Sequence, residues 1–263
     1  MPFRLSVLPA LLTLTSASLL AQQTNTTSAQ ASIMLQQSLH ALAPSVSVAD
    51  VSLSGSARRI AGSDDETGTV ALKAISGGAA RMDANFSSGQ RSEVQNLLSG
   101  SPVGSWSGPD GIFHPMAYHN LMTDPCWFFP TLAISRTIST SSYASAYIGR
   151  ETRNGQSVEH VQVWQATPVQ TPVPIPGLQH FSQMDLYLDS TTLLPASLTF
   201  QVHPDNNMSV DIFVEVLFSD YRAISGVQVP FRVQKYLNNG LALDLQLETA
   251  TINSGLSASL FLV

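Results

Sequence analysis

The chain has 263 residues, enough for one large β domain, and it is unusually poor in charge. Charged residues make up 11% of it and the formal net charge is −6, whereas about 25% of a typical soluble protein is charged. A negative chain of this kind lacks the basic surface of a nucleic-acid-binding protein, and its single cysteine, Cys126, excludes an internal disulfide.

The first 21 residues have the pattern of a secretory signal peptide. Arg4 supplies a positive charge, an apolar run from Leu5 to Leu20 follows, and cleavage is predicted after Ala21, with Ala17 as the second choice. The alternative is an uncleaved anchor helix, but the run is short for a span of about 20 residues and contains Ser and Thr. We therefore predict an exported protein, periplasmic or extracellular, with no transmembrane span in the mature chain.

The residues after this segment predict a linker and then a helix. Residues 22–29 are polar and without periodicity, which predicts a disordered linker, so the folded domain is predicted to span residues 30–263. The domain opens with a helix from Gln30 to Ala43, whose wide apolar arc suits a helix lying on a sheet. Ser28 is predicted to cap this helix and Pro44 to end it.

From Val46 onward, alternating apolar and polar residues predict about ten or eleven antiparallel strands. The clearest segment is Ser209 to Ile252, where three runs with period two are joined by turns at Ser225-Gly226 and Asn239-Gly240. These runs predict a meander of three strands. In the first run, additional apolar residues share a face with acidic ones, which predicts a sheet that is apolar in places on both faces.

The stretch from residue 97 to 135 interrupts the alternation. It is rich in Gly and Pro and concentrates aromatic residues, which predicts an insertion of short helices and loops rather than disorder. The cluster from Trp127 to Leu132 has two interpretations that stay open: a core that plugs the sheet, or a lid or lining for an apolar ligand. Under the second interpretation the predicted ligand-binding residues are Trp106, Phe113, Met122, Trp127, Phe128, Phe129 and Leu132.

Catalytic and metal-binding motifs are weak. The chain has no nucleophile elbow, phosphate loop, dinucleotide fingerprint or zinc helix. His114 and His119, with Asp110, Asp124 and Cys126 nearby, are poorly spaced for one helix face, so no metal or cofactor is predicted. Cys126 lies in an apolar run without a basic neighbour, which predicts a buried thiol rather than a nucleophile.

Two pairs of carboxylates are candidates for acid–base partners. Asp185 with Asp189, and Asp211 with Glu215, each lie four residues apart on a predicted strand. That spacing corresponds to roughly 13 Å, which is too far for a pair acting on one bond. We therefore predict no catalytic residue.

Two later segments resemble the LolA/LolB-like superfamily of exported bacterial proteins, which includes lipoprotein carriers and regulatory relatives. They are a strand and turn from Asp185 to Pro195 and the segment from Phe218 to Arg232, and they follow the N-terminal helix. The resemblance covers residues 30–263, and the insertion at residues 97–135 is its least typical part, although Gly104 to Leu132 is similar to a group of uncharacterised secreted bacterial proteins. The resemblance implies a mainly β fold: a single curved antiparallel sheet, an unclosed barrel, whose concave apolar face is covered by helices and binds acyl chains.

The amount of sheet leads independently to a similar expectation. A helix of about 14 residues is only about 21 Å long, so the insertion, closure of the sheet or a ligand must cover the remaining apolar surface. We predict a non-enzymatic carrier or binder of a lipid, a lipoprotein acyl chain or another apolar ligand in the cell envelope. The alternative is an envelope protein-interaction or sensor module with the same fold. A third hypothesis, an exported hydrolase, requires dispersed Ser, His and Asp residues to converge.

Overall fold

The computed structural model describes residues 15–97, 102–166 and 177–263, with side chains described from residue 27 onward. The described residues form thirteen strands and three α-helices, with two short 3-10 helices at Tyr118–Leu121 and Ala258–Phe261. The helices are α1 (Thr15–Leu42), α2 (Pro130–Ser139) and α3 (Leu178–Ser182). The strands are β1 (Asp50–Ala61), β2 (Asp64–Ile75), β3 (Ala79–Phe86), β4 (Gly89–Asn96), β5 (Val103–Ser107), β6 (Phe113–Pro115), β7 (Tyr143–Arg153), β8 (Gln156–Gln165), β9 (Met184–Asp189), β10 (Pro195–Val202), β11 (Ile212–Ile224), β12 (Val227–Leu237) and β13 (Gly240–Ile252).

All thirteen strands belong to one antiparallel sheet in the order β6-β5-β4-β3-β2-β1-β13-β12-β11-β10-β9-β8-β7. The sheet is not closed, which confirms the predicted fold class. Every neighbouring pair is consecutive in the chain except β1 and β13, which join the two halves. Their pairing contains a bulge at Ser54/Gly55. A Cβ atom on Gly55 would lie 2.1 Å from the carbonyl oxygen of Gln246, so only glycine allows this close approach.

The predicted meander is confirmed as β11, β12 and β13. Two-residue turns join its strands, and Ser225, Asn238 and Asn239 adopt positive φ angles there, as such turns require. Most of the alternating apolar side chains of the three strands lie in the main core, while Ile212 and Leu241, near the strand ends, are only partly buried. Period two therefore identified both the strands and their buried face.

Helix α1 lies over the sheet and packs against β7, β8, β12 and α2. Ala31, Leu35, Ser38 and Leu42, spaced by four, three and four residues, are buried along one stripe, as expected for an amphipathic helix. The helix ends before Pro44, as predicted. It begins at Thr15, however, so the predicted start at Gln30, the Ser28 cap and the predicted disorder of residues 22–29 do not agree with the structure. No Gly or Pro breaks the chain there.

The predicted signal peptide falls largely on residues 1–14, outside the described part of the chain, and its cleavage stays a prediction. None of the described helices is both long enough and apolar enough to cross a bilayer.

The insertion at residues 97–135 differs from its prediction in one respect. It does contain a 3-10 helix and the beginning of α2, but it also adds β5 and β6 to the edge of the sheet. These strands have five and three residues, too few to show alternation among Gly and Pro. The described chain consequently has more strands than the periodicity predicts.

The C-terminal tail packs on the face of the sheet opposite the main core. Phe261 is fully buried against Ala79 and Val94, whereas Ala80 belongs to the main core. Successive residues of a strand point to opposite faces, so this sheet is apolar on both faces at β3.

Candidate functional site

Four of the seven predicted ligand-binding residues lie in the main core. Trp127, Phe128, Phe129 and Leu132 are each no more than 5% exposed, and they pack with the sheet residues and the stripe of α1. We call these four residues the aromatic plug. Its burial matches the first interpretation of the sequence, in which the cluster fills the sheet.

The other three predicted residues lie elsewhere. Met122 is buried in a small separate cluster with Leu121, Leu178 and Phe181. Trp106 is 40% exposed and Phe113 is 71% exposed, at the edge of the sheet. The seven residues therefore do not converge on one site.

A cleft of about 510 Å³ opens beside the plug, between the 3-10 helix, α2, α3 and the adjoining ends of β7 and β8. We call it the Arg136 cleft. Its walls combine apolar and polar side chains in about equal number, and the polar ones include a buried guanidinium. The lining residues are Ser76, Gly77, Leu97, Pro102, Tyr118, Met122, Arg136, Thr140, Ser142, Tyr143, Gln165, Ala166 and Leu178.

Arg136 lies on the last turns of α2, and its charge is paired with Asp124. Its Nη2 atom is 2.5 Å from Asp124 Oδ2, and the two side chains are only 9% and 4% exposed. Its Nε and Nη1 atoms find no acceptor at hydrogen-bonding geometry among the described residues. Because a guanidinium has five N–H donors, Arg136 keeps donor capacity beyond the pair with Asp124.

The backbone at Gly78 makes room for this guanidinium. A Cβ atom at Gly78 would lie 1.9 Å from Arg136 Nη1, and the residue has a φ of +84°. The positive φ favours glycine, and a Cβ atom here would also push the guanidinium aside. The tight β2–β3 turn is therefore part of the wall that holds Arg136.

The pKa values of Arg136, Tyr143 and Cys126 are all raised, so none of these groups titrates near neutral pH. Burial alone lowers the pKa of Arg136, but Asp124 outweighs it and raises the pKa, so the guanidinium stays charged. Burial, followed by Asp124, raises the pKa of Tyr143 to about 12. Burial also raises the pKa of the Cys126 thiol well above its ordinary value. Cys126 is a buried free thiol, as the sequence predicts.

The weak metal set considered from the sequence is dispersed. His114 stacks on Trp106 with ring centroids 4.3 Å apart, and His119 Nε2 lies 3.3 Å from the carbonyl oxygen of Pro204. Asp124 and Cys126 lie beside Arg136. The candidate metal ligands predicted from the sequence therefore do not come together: His114 and His119 contact other residues, apart from Asp124 and Cys126.

The carboxylates considered from the sequence have separate partners. Asp185 Oδ1 lies 2.7 Å from His160 Nε2, and Glu215 Oε1 lies 2.8 Å from Arg153 Nη2. Asp189 accepts hydrogen bonds in the turn before β10. Asp211 faces two histidines instead.

These two histidines and Asp211 form a cluster that the sequence did not reveal. His180 Nε2 lies 2.9 Å from Asp211 Oδ1, and His203 Nδ1 lies 3.3 Å from the same oxygen. His180 belongs to α3, His203 follows β10, and Asp211 precedes β11. The three are spread over 31 residues, and only knowledge that β10 and β11 form a hairpin would bring His203 and Asp211 together.

Burial governs the protonation of His203. Desolvation lowers its pKa, while a contact with the carbonyl oxygen of Val210 and the charge of Asp211 raise it, and the net shift is downward. The side chain is completely buried, so a neutral imidazole is favoured.

Comparisons with known proteins establish the fold. A domain from Vibrio parahaemolyticus described as an outer membrane lipoprotein-sorting protein domain shares 12% identity, with a TM-score of 0.56, over 89% of this chain and 97% of that one. A DUF1329 family protein from Desulfovibrio piger shares 11% identity, with a TM-score of 0.57, over 89% and 96%. A LolA superfamily protein from Nitrosomonas europaea shares 10% identity, with a TM-score of 0.55, over 90% and 98%.

The chain has the LolA-like fold. No protein-family model matches it, and no curated protein does. At 10–12% identity the likeness establishes the fold alone, because one fold supports many functions. Function has to be argued from the Arg136 cleft and the other sites of this LolA-like domain.

Proposed function

We propose that this protein is an exported, non-enzymatic carrier or binder of an amphiphile: a lipid, a lipoprotein acyl chain or another apolar molecule with an anionic group. The observation that carries the proposal is the Arg136 cleft, where a buried guanidinium, paired with Asp124, lines a recess that also has apolar walls. The fold is the one found in a domain described as lipoprotein-sorting, which supports the same direction.

The size and lining of the cleft suit such a molecule. Its volume of about 510 Å³ is within the range of small-molecule pockets, about 300–1,000 Å³. Leu97, Met122 and Leu178 offer apolar contact, and Arg136 retains unused donors. These nitrogens are buried in the wall, so a carboxylate or phosphate would gain a charge-assisted hydrogen bond only after the guanidinium turns toward the cleft, while its apolar part would lie against the aliphatic side chains.

The chemistry of the cleft favours binding over catalysis. A general acid or base works best when its pKa lies near the operating pH. Asp124 holds Arg136 in its charged form, and the pKa of Tyr143 is about 12. Neither group is suited to exchange a proton at neutral pH.

A displacement assay tests the proposal. The protein, purified without added lipid, is titrated with a fluorescent fatty acid and examined by native mass spectrometry. We expect saturable binding of one molecule per chain. Thr140→Trp places a bulky ring at the exposed mouth of the cleft and should weaken binding, whereas Thr251→Trp, at an exposed position outside the lining, should not.

Two results would contradict the proposal. One is the absence of bound mass together with the absence of displacement. The other is equal binding by the two tryptophan variants, since a ligand that binds in the cleft should be hindered by a bulky ring at its mouth.

A second candidate, the envelope interaction module, is favoured by an exposed patch at the edge of the sheet. Ile112, Phe113 and Tyr118 are each more than half exposed, and Trp106 is 40% exposed. Strand β6 has three residues and ends in Pro115, which disfavours addition of another strand, so a partner would contact side chains. Crosslinking in the envelope should capture a defined partner with the unmodified chain. Phe113→Ser should abolish this capture and leave fatty-acid binding unchanged. Equal capture by the unmodified chain and by Phe113→Ser would count against this role for the patch.

A further inference from the structure

We propose that His180, His203 and Asp211 form a binding site for a transition-metal dication, with Zn²⁺ as the ion of the best-matched chemistry. Among the residues that the structure describes, this is the only set of three or more His, Cys, Asp or Glu residues whose ligand atoms all lie within 4.8 Å of one another. The site is separate from the Arg136 cleft and does not depend on the function proposed for it.

The spacing of the donor atoms fits tetrahedral coordination. Bonds from zinc to imidazole nitrogen or carboxylate oxygen are about 2.0–2.2 Å, which places neighbouring donors about 3.3 Å apart. The distances from Asp211 Oδ1 to His180 Nε2 and to His203 Nδ1 are 2.9 and 3.3 Å. The third edge, between the two histidines, is no longer than 4.8 Å. His180 is half exposed on the short helix α3, so a small shift of its ring closes this edge.

The second observation is the state of His203. Its side chain is completely buried, and its Nδ1 atom, which faces Asp211, also lies 3.1 Å from the carbonyl oxygen of Val210, a contact that an ion at Nδ1 would replace. The ring is enclosed by the rings of His119, His180 and Phe181, with centroids 5.6, 5.4 and 5.0 Å away. Nε2, on the other side of the ring, has no hydrogen-bond partner among the residues described and would carry the ring proton when an ion binds Nδ1.

The donor set selects the class of ion. Two imidazoles and one carboxylate suit Zn²⁺, Cu²⁺, Ni²⁺ or Fe²⁺, whereas Ca²⁺ and Mg²⁺ prefer shells of oxygen. Three protein ligands leave at least one coordination position open, with Asp211 and His180 facing solvent. The site is therefore accessible to an ion from solution and keeps a position for water or for a ligand atom.

The three ligands come from two elements, so a bound ion would connect α3 to the β10–β11 hairpin. His180 lies on α3, while His203 and Asp211 flank the loop between β10 and β11. On the same helix, Leu178 lines the Arg136 cleft and Phe181 packs in the cluster with Met122. An ion held here ties α3 to the β10–β11 hairpin and fixes one wall of the cleft.

Zinc titration of the full chain, purified without a histidine tag, tests the site. Isothermal calorimetry and native mass spectrometry should show one Zn²⁺ per chain, and Co²⁺ should give the visible absorption of a tetrahedral centre. Loss of a ligand should weaken zinc binding by about tenfold or more, so His180→Ala and Asp211→Asn should each do so. Both residues are half exposed, and these variants should fold.

His40→Ala is the matched control, because His40 is exposed on α1 and outside the cluster. It should bind zinc as the unmodified chain does. Zinc should also raise the melting temperature of the unmodified chain and of His40→Ala but not of Asp211→Asn. Failure of the unmodified chain to bind zinc saturably at micromolar concentration, or unchanged binding in both His180→Ala and Asp211→Asn, would overturn the proposal.

Discussion

The aromatic plug and the Arg136 cleft are built by neighbouring parts of one segment, and they differ in almost every physical respect. Phe129 belongs to the plug and is fully buried among apolar side chains. Seven residues later, Arg136 is also buried, but it borders open volume and keeps unused donors. Aromatic density thus marks where the sheet is filled, while a buried charge beside a recess marks the site at which we propose that a ligand binds.

The largest expected effect separates the plug from the exposed aromatics. Phe129→Ala should lower the free energy of unfolding by about 3–5 kcal/mol, because it removes a fully buried ring and leaves a cavity. Phe113→Ala, at a residue 71% exposed, should change it by no more than about 0.5 kcal/mol. Urea denaturation measures both, and equal losses in the two variants would mean that the plug is not the core of this domain.

The next effect probes the charge beside the cleft. Asp124→Asn removes the partner of a buried guanidinium and should cost about 3 kcal/mol of unfolding free energy, since an unpaired buried charge remains. Asp65→Asn breaks the ion pair with Arg58, which is about half exposed, and should cost far less, because solvent screens an exposed pair. A fall for Asp124→Asn no larger than for this control would show that Arg136 is already well solvated.

A change at Gly78 should move the Arg136 guanidinium without removing its charge. Gly78→Ala pushes a methyl group against Arg136 Nη1 and also strains a residue with positive φ, so the expected cost is about 1–3 kcal/mol. Binding of a fluorescent fatty acid should weaken in the folded variant. Gly62→Ala, also at positive φ but with open space around its Cβ, controls for the strain. Equal fatty-acid binding by the two variants would show that the Gly78 turn does not influence binding in the cleft.

Asp50 provides a buried carboxylate whose hydrogen bonds are satisfied, in contrast to the Arg136 pair. Burial raises its pKa, but hydrogen bonds from Ser254, Gly255 and Leu256 outweigh this, and the pKa is lowered below 3.8. A lowered folded-state pKa gives stability that is present above the unfolded pKa and is lost as the pH falls through the folded pKa.

Asp50→Asn should therefore cost about 1–2 kcal/mol at neutral pH, and the difference from the unmodified chain should shrink below about pH 4. Denaturation at several pH values measures it. A difference that stays constant down to pH 2 would contradict the role of the ionised carboxylate in holding the C-terminal tail.

The smallest effect concerns one hydrogen bond in the sheet, at a residue outside the lining of the cleft. Tyr221 donates its hydroxyl hydrogen to the carbonyl oxygen of Pro195 over 2.8 Å. Tyr221→Phe should cost about 1 kcal/mol and leave fatty-acid binding unchanged. A change in fatty-acid binding would show that the cleft responds to any loss of stability, and it would weaken the distinction between the two regions.

The periodic parts of the chain were predictable because their structure depends on local alternation. The meander from β11 to β13 and the end of α1 before Pro44 follow from spacing and breakers. Strands β5 and β6 were missed because they are too short to show a period. The start of α1 was missed because polar residues without Gly or Pro are compatible with both a helix and a linker.

The candidate sites were less predictable because they are assembled from distant segments. Arg136 and Gln165 meet in the cleft only after α2 and β8 are positioned by the sheet. His180, His203 and Asp211 come from a short helix and the two ends of a hairpin loop. The sequence did provide Met122, which lines the cleft, but it grouped Met122 with plug residues because all of them are apolar and neighbouring in the chain.

Photo-crosslinking with a diazirine fatty acid, followed by peptide mapping, tests most directly whether the cleft rather than the plug receives the ligand. We expect label on the segments that contain Tyr118, Met122 and Leu178, in an amount reduced by Thr140→Trp. Label concentrated on Phe128 and Phe129, or spread over the chain without saturation, would contradict the assignment of the Arg136 cleft as the binding site.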